Sequence, residues 1–334
     1  MAQEHGHETY VDLTAIINMQ LKDVQFRVND KILLCVNLIA ICILCRGKCG
    51  LSKCVSRYLV GMAAADLMAV VIGVILDQVN NIYSYARSLM LTPVCATIVV
   101  LRHTAMDCSV WFTVAFTFDR CITICTRTLR ERLCTKRIAT VVMVIVVIGS
   151  CVRCAPFYFA IDPLVIIDNV PWRCITTHEY VTSSFWKTFQ LFHVIITPVL
   201  PIGFIVLFNA LTVSFIVAAN NARRALRKKS ENQNDPEVEN RIKSMILLFS
   251  VSANFILLWI PIVVYYMNWQ FPNYFYTDRY LNTPSFILQQ FGYMLQFLCT
   301  CSNTCIYAFS VKRFREELKN GFKYLFTFNG QLSS

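Results

Sequence analysis

The chain has 334 residues, of which 56% are hydrophobic and 15% charged, with a net charge of +11. Soluble domains carry nearer a quarter charged residues, so this composition excludes an ordinary soluble domain and points to a membrane protein. Ten Gly and ten Pro exclude a fibrous or low-complexity chain.

In chain order, residues 1–31 form a polar segment whose start, MAQEHGHETY, is acidic and unlike a secretory signal. Seven apolar runs follow, at about 32–45, 58–76, 94–125, 138–160, 188–218, 245–268 and 285–309. A helix needs roughly 20 apolar residues to cross a bilayer. Six runs meet or approach that length; the first, ILLCVNLIAICILC, has 14. Either Arg27 and Lys31 snorkel while the bilayer thins, or residues 1–31 are not the native beginning of this helix. No run alternates like an outer-membrane strand, which favours a helical bundle over a barrel. The expected fold is an all-α bundle of seven transmembrane helices over 32–310. A short amphipathic helix over 311–326 and a tail over 327–334 complete it. Phe314, Leu318, Phe322 and Leu325 recur at helical spacing between Lys and Arg, as in a helix lying on a membrane surface.

Basic residues sort by loop. Of 31 Lys and Arg, 21 lie in the first, third and fifth connections and after the seventh run, and seven lie on the other side. Cytoplasmic loops collect Lys and Arg, so the N-terminus is expected outside and the C-terminus inside, in the plasma membrane. The positive charge then reads as topology and contact with anionic lipid, not nucleic-acid binding. Of the 16 cysteines, only Cys95 and Cys174 fall near outer helix ends. They are either one disulfide or two free thiols; the oxidising side favours the disulfide.

Several motifs recur together. Asp119-Arg120 stands in FTFDRCITIC, Cys95 lies 25 residues before Arg120, and MAAADL places Asp66 in the second run. Asn37, Pro201, WIP with Trp259 and Pro261, Phe255, and NTCIY with Asn303 and Tyr307 complete the set. With seven spans, this resembles the rhodopsin-like (class A) G protein-coupled receptors over about residues 32–326. RGKCGLSKC and MAAADL are also similar to a branch of orphan receptors, some of which sense aromatic amino acids or peptides. Four departures stand out: Cys121 where the family has Tyr, no Trp in the fourth run, Asn209 in place of a fifth-helix Tyr, and Thr304 in place of the seventh-helix Pro.

The resemblance implies a receptor that binds an extracellular small-molecule or peptide ligand and activates a heterotrimeric G protein, with no enzymatic activity. It assigns the switch to Asp119, Arg120, Asn209, Asn303, Tyr307, Trp259, Phe255, Pro201 and Pro261. It assigns the ligand cavity to Arg102, His103, Met106, His193, Trp259, Tyr266 and Tyr293. Arg102 would take a ligand carboxylate bidentately, unless Asp77, eleven residues after Asp66, neutralises it. Asp66, Ser109 and Asn303 would hold an allosteric Na⁺ with waters, since oxygen ligands suit a hard cation. The alternative is a protonated Asp66 bonded to Asn37 and Asn303. No other cofactor is expected.

Two more charges, Asp107 and Arg153, sit inside apolar runs, where charges persist only if paired, wet or functional. A structural ion pair is expected, against the alternative that one faces water. Thr304 restores a backbone N–H and should straighten the seventh helix near Tyr307, while a Thr hydroxyl can bond a carbonyl one turn back and bend a helix modestly. The basic Arg241 and Lys243 stand at the inner end of the sixth run, where no second acidic lock is read, so Asp119 is the expected resting partner of Arg120 and basal activity is expected. A transporter or channel is the competing reading, but no repeats or broken helices are seen. A retinal protein needs a lysine in 285–309, where Phe297 occupies the expected position.

Overall fold

The computed structural model describes residues 33–47, 49–76, 91–226, 236–269 and 284–320. They form seven long or apolar helices and an eighth that turns away. Helix α1 spans Leu33–Cys45. Helix α2, Lys53–Val70, is capped by Ser52, whose hydroxyl accepts the Val55 N–H at 3.3 Å, and it runs on as a π turn, Val71–Leu76. Helix α3, Thr92–Cys125, begins with Pro93 in its first turn, where a missing N–H costs nothing. Helix α4, Lys136–Cys154, is capped by Thr135 and ends in a 3₁₀ turn, Ala155–Ala160. Helix α5 has three parts: Ser184–Val194, a π turn Ile195–Val199, and Leu200–Leu226. Helix α6 is Pro236–Trp269 and α7 is Pro284–Ser310. Past Val311 the chain bends by 103° into α8, Lys312–Asn320.

Five of these helices are long and apolar enough to cross a membrane among the described residues, and α7 joins them when taken with α8; α1 is a shorter apolar helix. Each of the seven apolar runs thus corresponds to one helix. The helices outlast the runs where they project at the basic end: α6 starts at Pro236, well before the apolar run at 245. Residues 1–31 and 321–334 lie outside the described residues, as do Asp77, Phe322 and Leu325. The side chains of Arg241 and Lys243 do too.

Helix α3 is the central column. Its apolar window is 61% buried, against 17% for α4. The Val- and Ile-rich face of α4 points outward, as a lipid-facing helix of a bundle should. One core cluster fills the basic half, with Leu44, Met62, Phe116, Leu248, Tyr307 and Phe314 buried. A second joins α3, α5, α6 and α7 through Val110, Ile205, Phe255, Trp259 and Ile262.

The π turn of α5 holds Pro198, with Pro201 one turn later. Each proline removes an N–H from the ladder. Between them the ladder widens, so that the Leu200 N–H reaches the Ile195 carbonyl five residues back. The π turn thus lies upstream of Pro201, the proline that the motif reading singled out.

The connection after α4 folds as an antiparallel hairpin, β2 (Val165–Ile167) against β3 (Val170–Trp172), flanked by β1 (Ile161–Asp162) paired with β4 (Ile175–Thr176). Asp168 and Asn169 at the turn have φ of 51° and 60°, the left-handed pair that suits a two-residue hairpin. The Cys95–Cys174 disulfide ties this connection to the top of α3. Beside it the Thr92 hydroxyl donates to the Arg173 carbonyl at 2.8 Å.

Candidate functional site: a cavity, a buried carboxylate and a charged latch

Beneath the hairpin lies a cavity of about 280 Å³. Every ligand-site residue named from the sequence lines it, apart from Asp77: Arg102, His103 and Met106 of α3, His193 of α5, Trp259 and Tyr266 of α6, and Tyr293 of α7. Arg102 leans toward α2 at Gly73, where a Cβ would come within 2.9 Å of its Cδ. A larger residue there would push the guanidinium stem out of place. His103 stacks on Phe157 at 4.2 Å, and His193 meets the same ring edge-on at 5.0 Å. The Tyr266 and Tyr293 hydroxyls are 3.0 Å apart and bridge α6 to α7.

Sequence reasoning missed other walls. Phe157 comes from the 3₁₀ turn after α4, and Tyr180 from a short helix after the hairpin. Gln190 donates to the Tyr180 carbonyl at 3.0 Å and so pins that loop over α5. Gln296 of α7 adds a buried amide. Phe297, the position considered for a retinal lysine, is part of the apolar wall.

A second, narrow cavity of about 10 Å³ follows below, sharing Met106, Trp259 and Gln296 with the first. It holds Asp66, Ser109 and Asn303. The Ser109 hydroxyl donates to Asp66 Oδ1 at 2.5 Å and the Asn303 amide to Oδ2 at 3.1 Å. Two donors on an acceptor-only group satisfy an ionised carboxylate. Asn37 corrects one expectation. It donates to its own helix at the Leu33 carbonyl, 3.2 Å away, and its buried amide oxygen has no partner, so it does not serve Asp66. Phe255 packs on Trp259 at 5.3 Å directly beside this cavity.

Asp107 and Arg153 form an ion pair between α3 and α4. Asp107 is fully buried, and the Thr197 hydroxyl donates to its other oxygen at 3.0 Å, which brings α5 into the same knot. The Arg153 guanidinium also sits 6.0 Å above the Trp111 ring. The expected pair is therefore present, with a third strut that sequence spacing did not indicate.

At the basic end, Arg120 Nε donates to Asp119 Oδ2 at 3.1 Å and Nη2 completes the pair. Arg120 Nη2 also lies 3.4 Å from the Thr123 hydroxyl. The other Asp119 oxygen accepts from the Cys54 thiol of α2 at 2.9 Å. The Thr123 hydroxyl donates to the Asp119 carbonyl at 2.7 Å, and the Cys134 thiol approaches the same carbonyl at 3.7 Å. No motif flagged Cys54 or Cys134. Their residue type was visible, but their reach to Asp119 depends on how α2 and the short helix Arg127–Leu133 pack on α3. Burial of Cys134 pushes its thiol up from the usual value.

The remaining switch positions are Tyr307, Asn209, Pro261 and Pro201. Tyr307 is buried, packs edge-on against Phe314 of α8 at 6.1 Å, and its hydroxyl has no partner. The buried amide oxygen of Asn209 has none either. Thr304 does not bend α7 through its hydroxyl. Its buried hydroxyl bonds no carbonyl one turn back, while α7 runs unbroken through it. Pro261 lies inside α6, and Pro201 is buried just past the π turn of α5.

Across residues 36–307 the sequence matches the family model of the 7 transmembrane receptor (rhodopsin family). Proteins of this family are receptors, with extracellular ligands and G proteins as their general partners, which favours that reading over a transporter, channel or enzyme. Seven helices, the tethered hairpin and the Asp-Arg pair at the basic end of α3 agree with the match, and the chain belongs to the rhodopsin family of seven-transmembrane receptors.

Proposed function

We propose that the cavity beneath the hairpin binds an extracellular ligand carrying a carboxylate, and that binding shifts the bundle toward a state that activates a heterotrimeric G protein at the basic end. One observation carries this reading. Arg102 is the single Lys, Arg, Asp or Glu among the described residues lining a cavity otherwise walled mainly by rings, with two amides, a hydroxyl and a few aliphatic side chains. A cavity of about 280 Å³ suits a small aromatic acid or the terminal residue of a short peptide. A flat, strongly bidentate donor among aromatic walls favours that chemistry. The basic end faces the cytoplasm and the N-terminus faces outside the plasma membrane, in keeping with where Lys and Arg collect.

A screen of aromatic amino acids and short peptides against a panel of G protein sensors identifies the agonist. Arg102→Ala should then lower its potency about tenfold to a hundredfold, the worth of a hydrogen bond to a charged group, and Arg102→Lys should lose less. Unchanged potency for an acidic agonist in Arg102→Ala removes Arg102 as the anchor. An epitope at the N-terminus should be labelled on intact cells; labelling only after permeabilisation reverses the topology.

The buried carboxylate supports a second feature of the same reading. Asp66, Ser109 and Asn303 supply oxygen donors suited to Na⁺, and the small cavity beside them borders Trp259. A bound ion would neutralise Asp66 at the centre of the bundle. Agonist affinity should fall as Na⁺ replaces a larger organic cation at constant ionic strength, and Asp66→Asn should abolish that dependence. Wild-type affinity indifferent to Na⁺ removes the ion.

A further inference from the structure

We propose that the cavity beneath the hairpin selects aromatic acids whose α-nitrogen is acylated over free aromatic amino acids and amines, and that Gln296 of α7 reads the acyl amide. The ligand class is then an N-acyl aromatic amino acid or the last residue of a peptide. This rests on the reading of Arg102 as a carboxylate anchor and narrows the ligand further.

The charges around the cavity carry the first half of the inference. No carboxylate lines it among the described residues. Asp66, in the narrow cavity below, already accepts from Ser109 and Asn303. Asp107, reached through Thr197 of the cavity wall, is held by Arg153 and by that hydroxyl. Asp162, Asp168 and Glu179 are exposed in and beside the hairpin and do not line the cavity. In a free amino acid the ammonium is carried by the carbon next to the carboxylate. A guanidinium that grips the carboxylate therefore holds the ammonium close to itself as well. Like charges that close repel, and a cation drawn out of water needs a paired anion. A ring face attracts a cation weakly and does not offset a guanidinium beside it. Acylation removes the charge and leaves one N–H and one carbonyl in its place.

Gln296 carries the second half. It lines the cavity and is only 9% exposed. No hydrogen bond joins its amide to the described residues. Gln190, the other amide of the wall, instead donates to the Tyr180 carbonyl at 3.0 Å. A side-chain amide offers both a donor and an acceptor, which complements an acyl amide. A buried amide without a partner is costly, so this one favours a ligand that matches it. Gly73 brings the two reading groups together. A Cβ there would lie 2.9 Å from Arg102 Cδ and 3.7 Å from Phe297 Cζ, so the arginine stem lies near the turn of α7 that carries Gln296 and Phe297.

The test measures direct binding to the full chain in phosphatidylcholine discs by ligand-observed NMR. The probes share a phenyl ring: N-acetyl-L-phenylalanine, L-phenylalanine, hydrocinnamate and phenethylamine. N-acetyl-L-phenylalanine should bind tightest. L-phenylalanine should bind at least about tenfold more weakly, since its cation has no partner, and phenethylamine more weakly still. Hydrocinnamate has the carboxylate and no nitrogen, and it should fall between the first two. Gln296→Leu, close in volume, should weaken N-acetyl-L-phenylalanine by about fivefold to tenfold and hydrocinnamate by less than about twofold. The hydrocinnamate result separates a lost hydrogen bond from misfolding. Suppose L-phenylalanine binds as tightly as its N-acetyl form and Arg102→Ala weakens both. The selection is then overturned while the carboxylate anchor stands. Equal losses of N-acetyl-L-phenylalanine and hydrocinnamate in Gln296→Leu overturn the role of Gln296. Binding of no acid, binding of phenethylamine as tight as the acids, or acids indifferent to Arg102→Ala removes the anchor itself and this inference with it.

Discussion

Helix α3 carries two acid–base pairs built in opposite ways. Asp107 pairs across to Arg153 on α4 and accepts from Thr197 on α5, so it holds three helices together. Asp119 pairs with its own neighbour Arg120 along one helix and touches α2 through the Cys54 thiol. Breaking the first pair separates helices or strands a charge in the core. Breaking the second strands no charge between helices and removes the carboxylate beside Arg120 at the basic end. The upper pair is thus placed to be a strut and the lower one a switch.

The largest expected effect tests the strut. Arg153→Ala leaves Asp107 ionised and buried, with Thr197 as its remaining donor, at a cost of ~3–5 kcal/mol. Against a total stability of about 5–15 kcal/mol, surface expression should collapse. Asp107→Asn in the same chain removes the stranded charge, and it should recover a substantial part of that expression. Loss of expression without recovery in the double variant would place the role of Arg153 in its packing over Trp111 instead.

The next effect tests the switch. Arg120→Ala should reach the cell surface at close to wild-type levels while agonist-stimulated nucleotide exchange falls by about tenfold or more. Asp119→Asn should move the other way, raising exchange without agonist severalfold, because the charge that holds Arg120 is gone. If Arg120→Ala instead cripples expression as Arg153→Ala does, both pairs are struts and the contrast between them disappears.

Much of this contrast was legible in the chain. Apolar runs, interrupted by Asp and Arg, located the helices and the charges, because a bilayer tolerates few exceptions to either pattern. The family resemblance, not spacing, put Arg102, His103 and Met106 of α3 on the cavity side, where they lie. Partners were harder to read. The Asp107–Arg153 pair followed from depth alone, but Thr197 as its third member required the π turn of α5, which depends on Pro198. The hairpin over the cavity was signalled by Asp168-Asn169 between two β-branched runs and was passed over for want of a regular fold around it. Phe157 and Tyr180 enter the cavity from segments folded back over it, a non-local arrangement that no periodicity encodes. Asn37 shows the reverse error. Its amide donates within α1 rather than to Asp66, and its buried amide oxygen is left without a partner.

The smallest effect is the most specific, because it concerns a single contact from a neighbouring helix to the switch. Cys54 is buried on α2 and its thiol donates to Asp119 Oδ1, the oxygen that Arg120 does not use. Holding the carboxylate from behind keeps it oriented toward Arg120, so the thiol acts as a positioning group for the resting pair. A hydrogen bond to a charged group contributes about 1.5–3 kcal/mol. A thiol is a weak donor, which puts its share at the lower end, near a tenfold change in a two-state equilibrium. Cys54→Ala should therefore raise agonist-independent exchange by about twofold to tenfold at unchanged surface level. Cys54→Ser keeps a donor in nearly the same volume and should stay near wild type. Cys54→Val keeps the volume without the donor and should resemble Cys54→Ala. If serine and alanine raise exchange alike while valine does not, packing of α2 against α3 controls the switch rather than the thiol bond, and the lower pair is held by its own helix alone.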